Sequence, residues 1–496
     1  MPAIPAIYNP DNQAINQLAD DERTRRNGLI DAYWRYYEGR HRRWLRQRPG
    51  DPDFNITLNL CGQAINKLVD FVAPTAPTLT LRGGIQRTVA PDGSLVEQRS
   101  PEQQALDRFW DVSDLDVDFT DVLISGFVTG HTFLRLIIRE DNNVEVRLLD
   151  PRHVTVFWNV ANVRQRLWYR LYWMQATNEE RRQDIVPTAL LVASGRVPRE
   201  QIENMSEEEL NSFLASWSVL EYAKPSTGKW EVVASDMWPY PFPPIVDWKN
   251  AHRPHEYYGL SDLAHADLND AINLVASNIA KIIFHHAGPQ TVIVGGTLGQ
   301  AGGERTVDTG PSTVLEFEDP DTKVYNLEMT SDLAASLNMM QVLRETFFSQ
   351  MRVFDSSAHK DKLARVTNFG VRMLHNDMIG MMRSKRHLIG RGLAETARRA
   401  LFIQGFEVER DQIQVNWDDP IPQNRVELVG ALLQEQQIGG TSIQTLLEDL
   451  GRDPTVEHSR RKIEERVATD AVADVLARIG ERGGPVLGTR QPGRVR

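Results

Sequence analysis

Two long apolar stripes flank a short β-rich stretch between Gly259 and Phe354, and no other feature constrains the chain so tightly. Leu260, Leu263, Ala264, Leu268, Ala271, Ile272, Val275, Ile279, Ile282 and Ile283 recur at three- and four-residue steps up to Ala287. That spacing predicts roughly 40 Å of helix at about 1.5 Å per residue. His265, Asn269, Asn273, Asn278 and Lys281 take the polar face, and Gly288-Pro289 stops the helix. TVIVGG, a glycine-rich loop from Gly295 to Gly303, STVLEFE and KVYNLEM then read as a β insert. A second helix starts at Ser331-Asp332 and runs to about Phe354, with Leu333, Leu337, Met340, Leu343, Phe347 and Met351 in line. Two helices joined through a small β cap cannot bury their own apolar surface. They require neighbours.

The segment before this unit reads as α+β. A helix follows the Pro-rich start, and Arg23 to Arg48 holds nine Arg against Asp31 and Glu38, interleaved with Tyr33, Trp34, Tyr36, Tyr37 and Trp44. Such a pattern can bind nucleic acid by phosphate contact and stacking. The favoured reading is an amphipathic helix whose aromatics pack inward while arginine stems cover the rim. Its candidate contact residues are Trp34, Arg35, Arg40, Arg42, Arg43 and Trp44. Asn55 to Ala73 reads as helix, ended by Pro74. LTLRGG, TFLRLIIRE, VEVRLLD, HVTVFWN and LWYRLYWMQ read as strands, with Asn142-Asn143 as a hairpin turn and one helix over Pro101 to Gly130. Val186 to Ser212 reads as a polar insertion, followed by a hairpin of SVLEYA and KWEVVA. WPYPFPP (Trp238 to Pro244) predicts an extended surface run that closes this unit near residue 258. Beyond the long helices come a polar break over Asp355 to Asn368 and a helix over 369–404, kinked by Gly370, Gly380, Gly390 and Gly392. A strand over Gln412 to Trp417 and three helices (426–437, 442–450 and 455–479) follow, then a Gly/Pro/Arg-rich tail expected to be disordered.

Composition excludes several classes. At 496 residues the chain has room for two to four domains. One cysteine, Cys61, permits neither an intrachain disulfide nor a four-cysteine zinc site. No apolar run approaches a membrane span, and the start carries no secretory pattern, so a cytoplasmic-type protein is expected. Net charge is −11, with only ten Lys among the 56 basic residues. The acidic balance argues against a simple nucleic-acid binder. No GxxxxGK[ST], HExxH or GxSxG occurs. Asp111, Asp114, Asp116, Asp118 and Asp121 suggest a calcium loop, but from Asp114 the sixth position is Phe119 and the twelfth Ser125, so the pattern fails. Adjacent His285 and His286 diverge on a helix and cannot share a metal. The expectation is structure and binding, with no enzyme activity, metal or cofactor.

The order of elements then resembles a known family. It is carried by YYEGRHRR (Tyr36 to Arg43), NKLVDFVAPTAP (Asn66 to Pro77), YGLSDLAHADLNDAIN (Tyr258 to Asn273) and the closing run from QVNWDDPIPQNRVELVGALLQEQQIGG through TSIQTLLEDLGRDPTVEHSRRKIEER. With the helix–β insert–helix unit between them, the chain resembles the portal proteins of tailed bacteriophages, of the siphophage type, over nearly its whole length. The resemblance implies an α+β, predominantly helical subunit of a ring of about twelve copies at one capsid vertex. It maps a peripheral wing to 1–258, stem helices to 259–287 and 329–353, a clip to 288–328 and a tunnel loop to 354–368. A kinked helix and strand returning to the wing map to 369–419, and a helical crown with its tail to 420–496.

The implied function is a channel for packaging and ejecting double-stranded DNA. It is also a docking platform for the large terminase and a head–tail adaptor, with major capsid and scaffolding proteins as further partners. Such a subunit sits in the virion, after assembly in the host cytoplasm, with no membrane contact and no ATP hydrolysis of its own. The implied channel residues are His359, Lys360, Lys362 and Arg365 of the tunnel loop, and the implied clip surface is Glu316, Glu318, Asp319 and Asp321. Acidic or neutral walls suit DNA that must pass, because each phosphate contact adds affinity. Two other readings stand beside it. Another phage head or tail structural protein, such as a capsid or connector subunit, gives no reason for the helical pair. A DNA-packaging enzyme needs a Walker motif or a carboxylate metal cluster.

Overall fold

The computed structural model describes residues 8–10, 12–47, 52–89, 95–159, 161–175, 179–224, 230–287, 290–294, 323–327, 333–355, 370, 373, 375–420, 425–440 and 442–466. Helix α1 (Gln13–Tyr37) starts where the Asn12 side chain accepts the Ala14 and Ile15 amides. Next come α2 (Leu60–Val72), β1 (Thr78–Leu81), β2 (Ile85–Val89) and β3 (Leu95–Arg99). The single helix expected over Pro101 to Gly130 is two, α3 (Pro101–Val112) and α4 (Leu115–Thr129). Asp114 between them takes a left-handed φ of 48°, which ends one helix and starts the other. Acidic Asp116 and Asp118 occupy the first turn of α4, as its N-terminal dipole favours.

All sheet pairings are antiparallel among the described residues. Strands β4 (His131–Ile138) and β5 (Val144–Leu149) form the expected hairpin, with Asn142 left-handed in its turn. Strands β6 (Val154–Asn159), β7 (Asn162–Met174), β8 (Glu180–Pro187), β9 (Trp217–Lys224) and β10 (Glu231–Trp238) make a five-stranded meander in the order β10-β9-β8-β7-β6. The expected insertion after Val186 contains the end of β8 and three short helices, α5 (Thr188–Ala193), α6 (Arg199–Glu203) and α7 (Glu207–Ala215). A capping box between Ser206 and Glu209 starts the last of these. Strand β11 (Ile245–Lys249) joins β4 and β5 in the order β11-β4-β5.

The long-helix unit follows as α8 (Asp267–Ala287), β12 (Gln290–Val294), β13 (Lys323–Leu327) and α9 (Leu333–Gln350). Strands β12 and β13 pair from Gln290↔Leu327 to Val294↔Lys323, closing the hairpin above the two helices. Helix α10 (Asn376–Ile403) and β14 (Ile413–Asn416) then return to the first half of the chain, where β14 pairs with β1. Helices α11 (Arg425–Gln437) and α12 (Ile443–Asp449), and a helix over 454–466, follow.

One core cluster joins α2, α3, α4, β4, β5, the lower end of α9 and α10. It contains Cys61, fully buried, whose thiol burial pushes far above its ordinary pKa. The helix expected to kink at its glycines is continuous from Asn376 to Ile403. Gly392 is there for space, since a Cβ would stand 2.3 Å from Cε3 of Trp248. The Pro cluster expected on the surface is exposed at Pro239 and Pro241 and covered only at its end. Phe242, Pro243 and Pro244 are buried, and Arg399 of α10 donates to the carbonyls of Pro243 and Ile245 at 2.9 Å each. Gly392→Val should therefore lower stability by about 1–3 kcal/mol in urea denaturation through overpacking. Gly380→Ala, with nothing within 4 Å of its added Cβ, should raise it by up to ~1 kcal/mol.

Candidate functional site: the long-helix pair and its anchor

Helix α8 begins at Asp267 rather than Gly259 because the segment before it is fitted to the core. A Cβ on Gly259 would lie 2.3 Å from the carbonyl oxygen of Gly130, so only glycine passes. Ser261 caps the short turn Asp262–His265, accepting the Leu263 amide at 3.0 Å while its hydroxyl donates to Val128 O at 2.6 Å. Asp262 and Asn250 together hold the ammonium of Lys385, from α10, at 2.8 and 2.6 Å. Burial lowers the Lys385 pKa and Asp262 opposes that shift. The ammonium also lies 4.3 Å from the Phe127 ring centre, a cation–π contact.

The polar face of α8 is the more informative one. Asn269 is fully buried. Its Oδ1 accepts the amides of Leu60 and Cys61 at 2.9 and 3.0 Å, and its Nδ2 donates to Leu58 O at 2.7 Å. One turn on, Asn273 Oδ1 accepts the Leu58 amide at 2.9 Å, and one turn further Ser277 Oγ accepts the Ile56 amide at 2.9 Å. Residues 269, 273 and 277 thus form a ladder that reads alternate backbone groups of an extended segment. The helix expected over Asn55 to Ala73 is for that reason extended up to Asn59 and helical only from Leu60. Asp270, beside the ladder, accepts from Tyr36 OH at 3.0 Å and lies 3.3 Å from Nδ1 of buried His41. The end of α1 is tied to the same helix.

Away from this anchor the pair is more exposed, with the Phe284 ring 5.1 Å from that of Phe54. Ile283 and Phe284 on α8, and Leu337, Met339 and Val342 on α9, are each about half exposed. The run 333–343 (LAASLNMMQVL) contains no charged residue. At the other end of α9, Phe347 and Phe348 are buried in the main core. The hairpin is rooted at one end and presents apolar surface toward the other, uncharged over 333–343 of α9 and bordered by exposed Lys281 on α8.

The sequence candidates divide into two groups. His359, Lys360, Lys362 and Arg365, and Glu316, Glu318, Asp319 and Asp321, lie outside the described residues. So do the expected glycine loop and the tail. The Arg/aromatic segment is described. Trp34 packs against the main core with Tyr33, Tyr36 and Tyr37, as the amphipathic reading expects. Arg35 is exposed, Arg40 pairs with Glu38, and Arg43 pairs with Asp53 at 3.1 Å. Arg42 stacks over the exposed Trp44 ring at 4.1 Å. Sequence reading missed the ladder, although two asparagines one turn apart on a polar helix face are a usable sign. Buried Lys385 carried no sign at all.

A second buried cluster sits between β4, β7 and β11. Asp247 accepts from His131 Nε2 at 2.8 Å, Arg166 Nε at 2.6 Å and Tyr169 OH at 3.0 Å, and from Tyr257 OH. Burial alone would raise this carboxyl, but Arg166 and His131 outweigh it and hold it far below the usual range. His131 Nδ1 accepts the Gly259 amide at 3.4 Å, so both ring nitrogens are engaged. A histidine and a carboxylate are adjacent, but neither nitrogen is left to take a proton from a substrate. The cluster holds β4 to β7 and β11. Among the described residues no group of His, Cys, Asp and Glu could hold a metal, and no helix is long and apolar enough to cross a membrane.

Residues 263–470 match the family described as "Phage portal protein, SPP1 Gp6-like". The portal resemblance is therefore shown over the span that carries the ladder, both long helices, β12, β13 and α10. No curated protein sequence matches the chain. Solved structures to which the chain is similar include two from gene transfer agent particles. A chain of the "Virion of native gene transfer agent (GTA) particle" is 13% identical, with a TM-score of 0.44, over 86% of this chain and 94% of that one. A chain of the "Neck of native GTA particle computed with C12 symmetry" is 12% identical, with a TM-score of 0.42, over 79% and 90%.

The anchor predicts its own test. Asn269→Ala leaves two buried amides and a carbonyl without partners and should cost about 3 kcal/mol in urea denaturation. A loss below about 1 kcal/mol would mean the ladder does not hold segment 56–61.

Proposed function

We propose that the chain is the subunit of a portal ring, a structural conduit for double-stranded DNA at one vertex of a phage-type capsid. The observation that carries this reading is the family match over residues 263–470. The half-exposed apolar residues of α8 and the uncharged run of α9 support it physically. Fully burying one such side chain contributes about 1.5–3 kcal/mol, and neighbouring copies in a ring would cover the same patch on every subunit.

In this reading α8 and α9 are the stem (259–287 and 329–353), and the segment between them (288–328) is the clip. Segment 354–368 is the tunnel loop, 1–258 is the wing with 369–419 returning to it, and 420–496 is the crown. About twelve copies close the ring. The clip, with Glu316, Glu318, Asp319 and Asp321, would dock the large terminase during packaging and a head–tail adaptor afterwards. His359, Lys360, Lys362 and Arg365 would supply the few basic contacts at the constriction. The net charge of −11 per subunit suits a passage that must not retain DNA. Major capsid and scaffolding proteins would meet the wing. Force comes from a motor outside the chain, and the reading asks no reaction or cofactor of the subunit itself.

Negative-stain class averages of the purified protein should show rings of about twelvefold symmetry. The double variant Met339→Lys, Val342→Lys should keep the wild-type circular dichroism spectrum and fail to form rings, because it places two charges on the apolar patch. A wild-type protein that stays monomeric under assembly conditions would count against the portal reading. Intact rings of the double variant would remove α9 from the interface.

A further inference from the structure

The five-stranded sheet carries a feature that a conduit does not require. Arg182, on β8, is 1% exposed, yet among the described residues no acceptor reaches its Nε or Nη2. Asp184 Oδ1 lies 3.6 Å from Nε, too far for a hydrogen bond. That carboxylate is already engaged by Arg170 at 2.7 and 3.0 Å and by Tyr8 OH at 2.8 Å. The Arg182 guanidinium is instead held between two rings, 4.2 Å from the centre of Tyr222 and 4.9 Å from that of Trp230. Stacking fixes the plane of its N–H groups but accepts none of their hydrogen bonds. A buried guanidinium without acceptors is costly, and a bound anion would offset that cost.

Arg182 lines a cavity of about 420 Å³, together with Arg23, Lys224, Tyr172 and Trp230. Other cations of the lining are already paired: Arg170 with Asp184 at 2.7 Å, Arg181 with Glu179 at 3.1 Å, and Lys224 with Glu180 at 2.8 Å. Arg23 approaches Asp20 only to 3.8 Å and lies over the Tyr172 ring at 3.9 Å. Arg182 and Arg23 therefore remain as the two weakly engaged positive charges. That pair matches a dianion better than a single carboxylate. A duplex carries its phosphates on a convex outer surface and does not reach a side chain this deeply placed. A small phosphate-bearing molecule does.

We propose that this cavity binds a small phosphate dianion, free or carried by a nucleotide, with Arg182 as the principal donor and Arg23 as the second. The full-length protein in phosphate-free buffer would be titrated calorimetrically with inorganic phosphate, with adenosine monophosphate, and with acetate at matched ionic strength. Saturable binding of phosphate at one site per chain is expected, with none for acetate. Arg182→Gln should weaken phosphate binding at least about tenfold, and Arg23→Gln, nearer the surface, by several-fold. The second variant also decides the matter if the first fails to fold. Tighter binding of adenosine monophosphate would assign the site to a nucleotide, and equal or weaker binding to free phosphate. No saturable phosphate binding up to about 10 mM, or binding unchanged in the folded variants, would overturn the proposal.

Discussion

Side chains of α8 do the work that a neighbouring strand would do in a sheet, and much of the subunit hangs on that exchange. Four residues of helix advance about 6.0 Å, and two residues of strand about 6.6 Å. Asn269, Asn273 and Ser277 can therefore meet alternate backbone groups of the segment from Ile56 to Cys61 without strain. Asn269 also takes two of the four amides that a helix start leaves unpaired, which places the beginning of α2 at Leu60. Asn59 completes the start, accepting the Gly62 amide while its Nδ2 donates to Tyr37 O. Helix α1, helix α2 and the extended segment between them are thus referenced to one face of α8.

The opposite end of the chain is drawn to the same place. Lys385 of α10 reaches Asp262 and Asn250 just before α8 begins, and β14 adds to β1. A buried ammonium with one carboxylate and one amide oxygen adds little net stability, yet removing Asp262 would strand its charge. Its value lies in fixing where α10 sits. The covered end of the Pro cluster and the close approach of Gly392 to Trp248 follow from that placement.

Periodicity made the long helices, the β insert between them, the Asn142 hairpin and the return strand legible in the sequence. It failed where polar side chains bind backbone. Ile56 and Leu60 share a helical spacing, so Asn55 to Ala73 reads as one helix, and only the asparagines of α8, more than 200 residues away, decide otherwise. Gly392 reads as a breaker because propensity is local, whereas the indole that needs its space, Trp248, comes from β11. WPYPFPP reads as surface because proline runs usually are, and Pro239 and Pro241 are exposed; its end is buried, where Arg399 donates to the carbonyls of Pro243 and the following Ile245. In the Arg/aromatic segment Tyr33, Trp34, Tyr36 and Tyr37 pack on the core as the amphipathic pattern suggested, whereas Trp44 is exposed and Arg26 is buried. The clip and tunnel-loop residues remain sequence proposals, and Arg182, stacked on rings but without hydrogen-bond acceptors at Nε or Nη2 among the described residues, left no mark in the pattern of strand β8.

In the portal reading the helical pair is held at its base by contacts within the chain and covered at its outer face by neighbouring copies. Amide hydrogen exchange measured by mass spectrometry on dissociated and assembled protein tests both halves at once. Peptides over 55–61 should be strongly protected in both states, and peptides over 333–343 should gain protection only on assembly. Unchanged exchange over 333–343 in the assembled particle, or rapid exchange over 55–61 in the folded subunit, would contradict it.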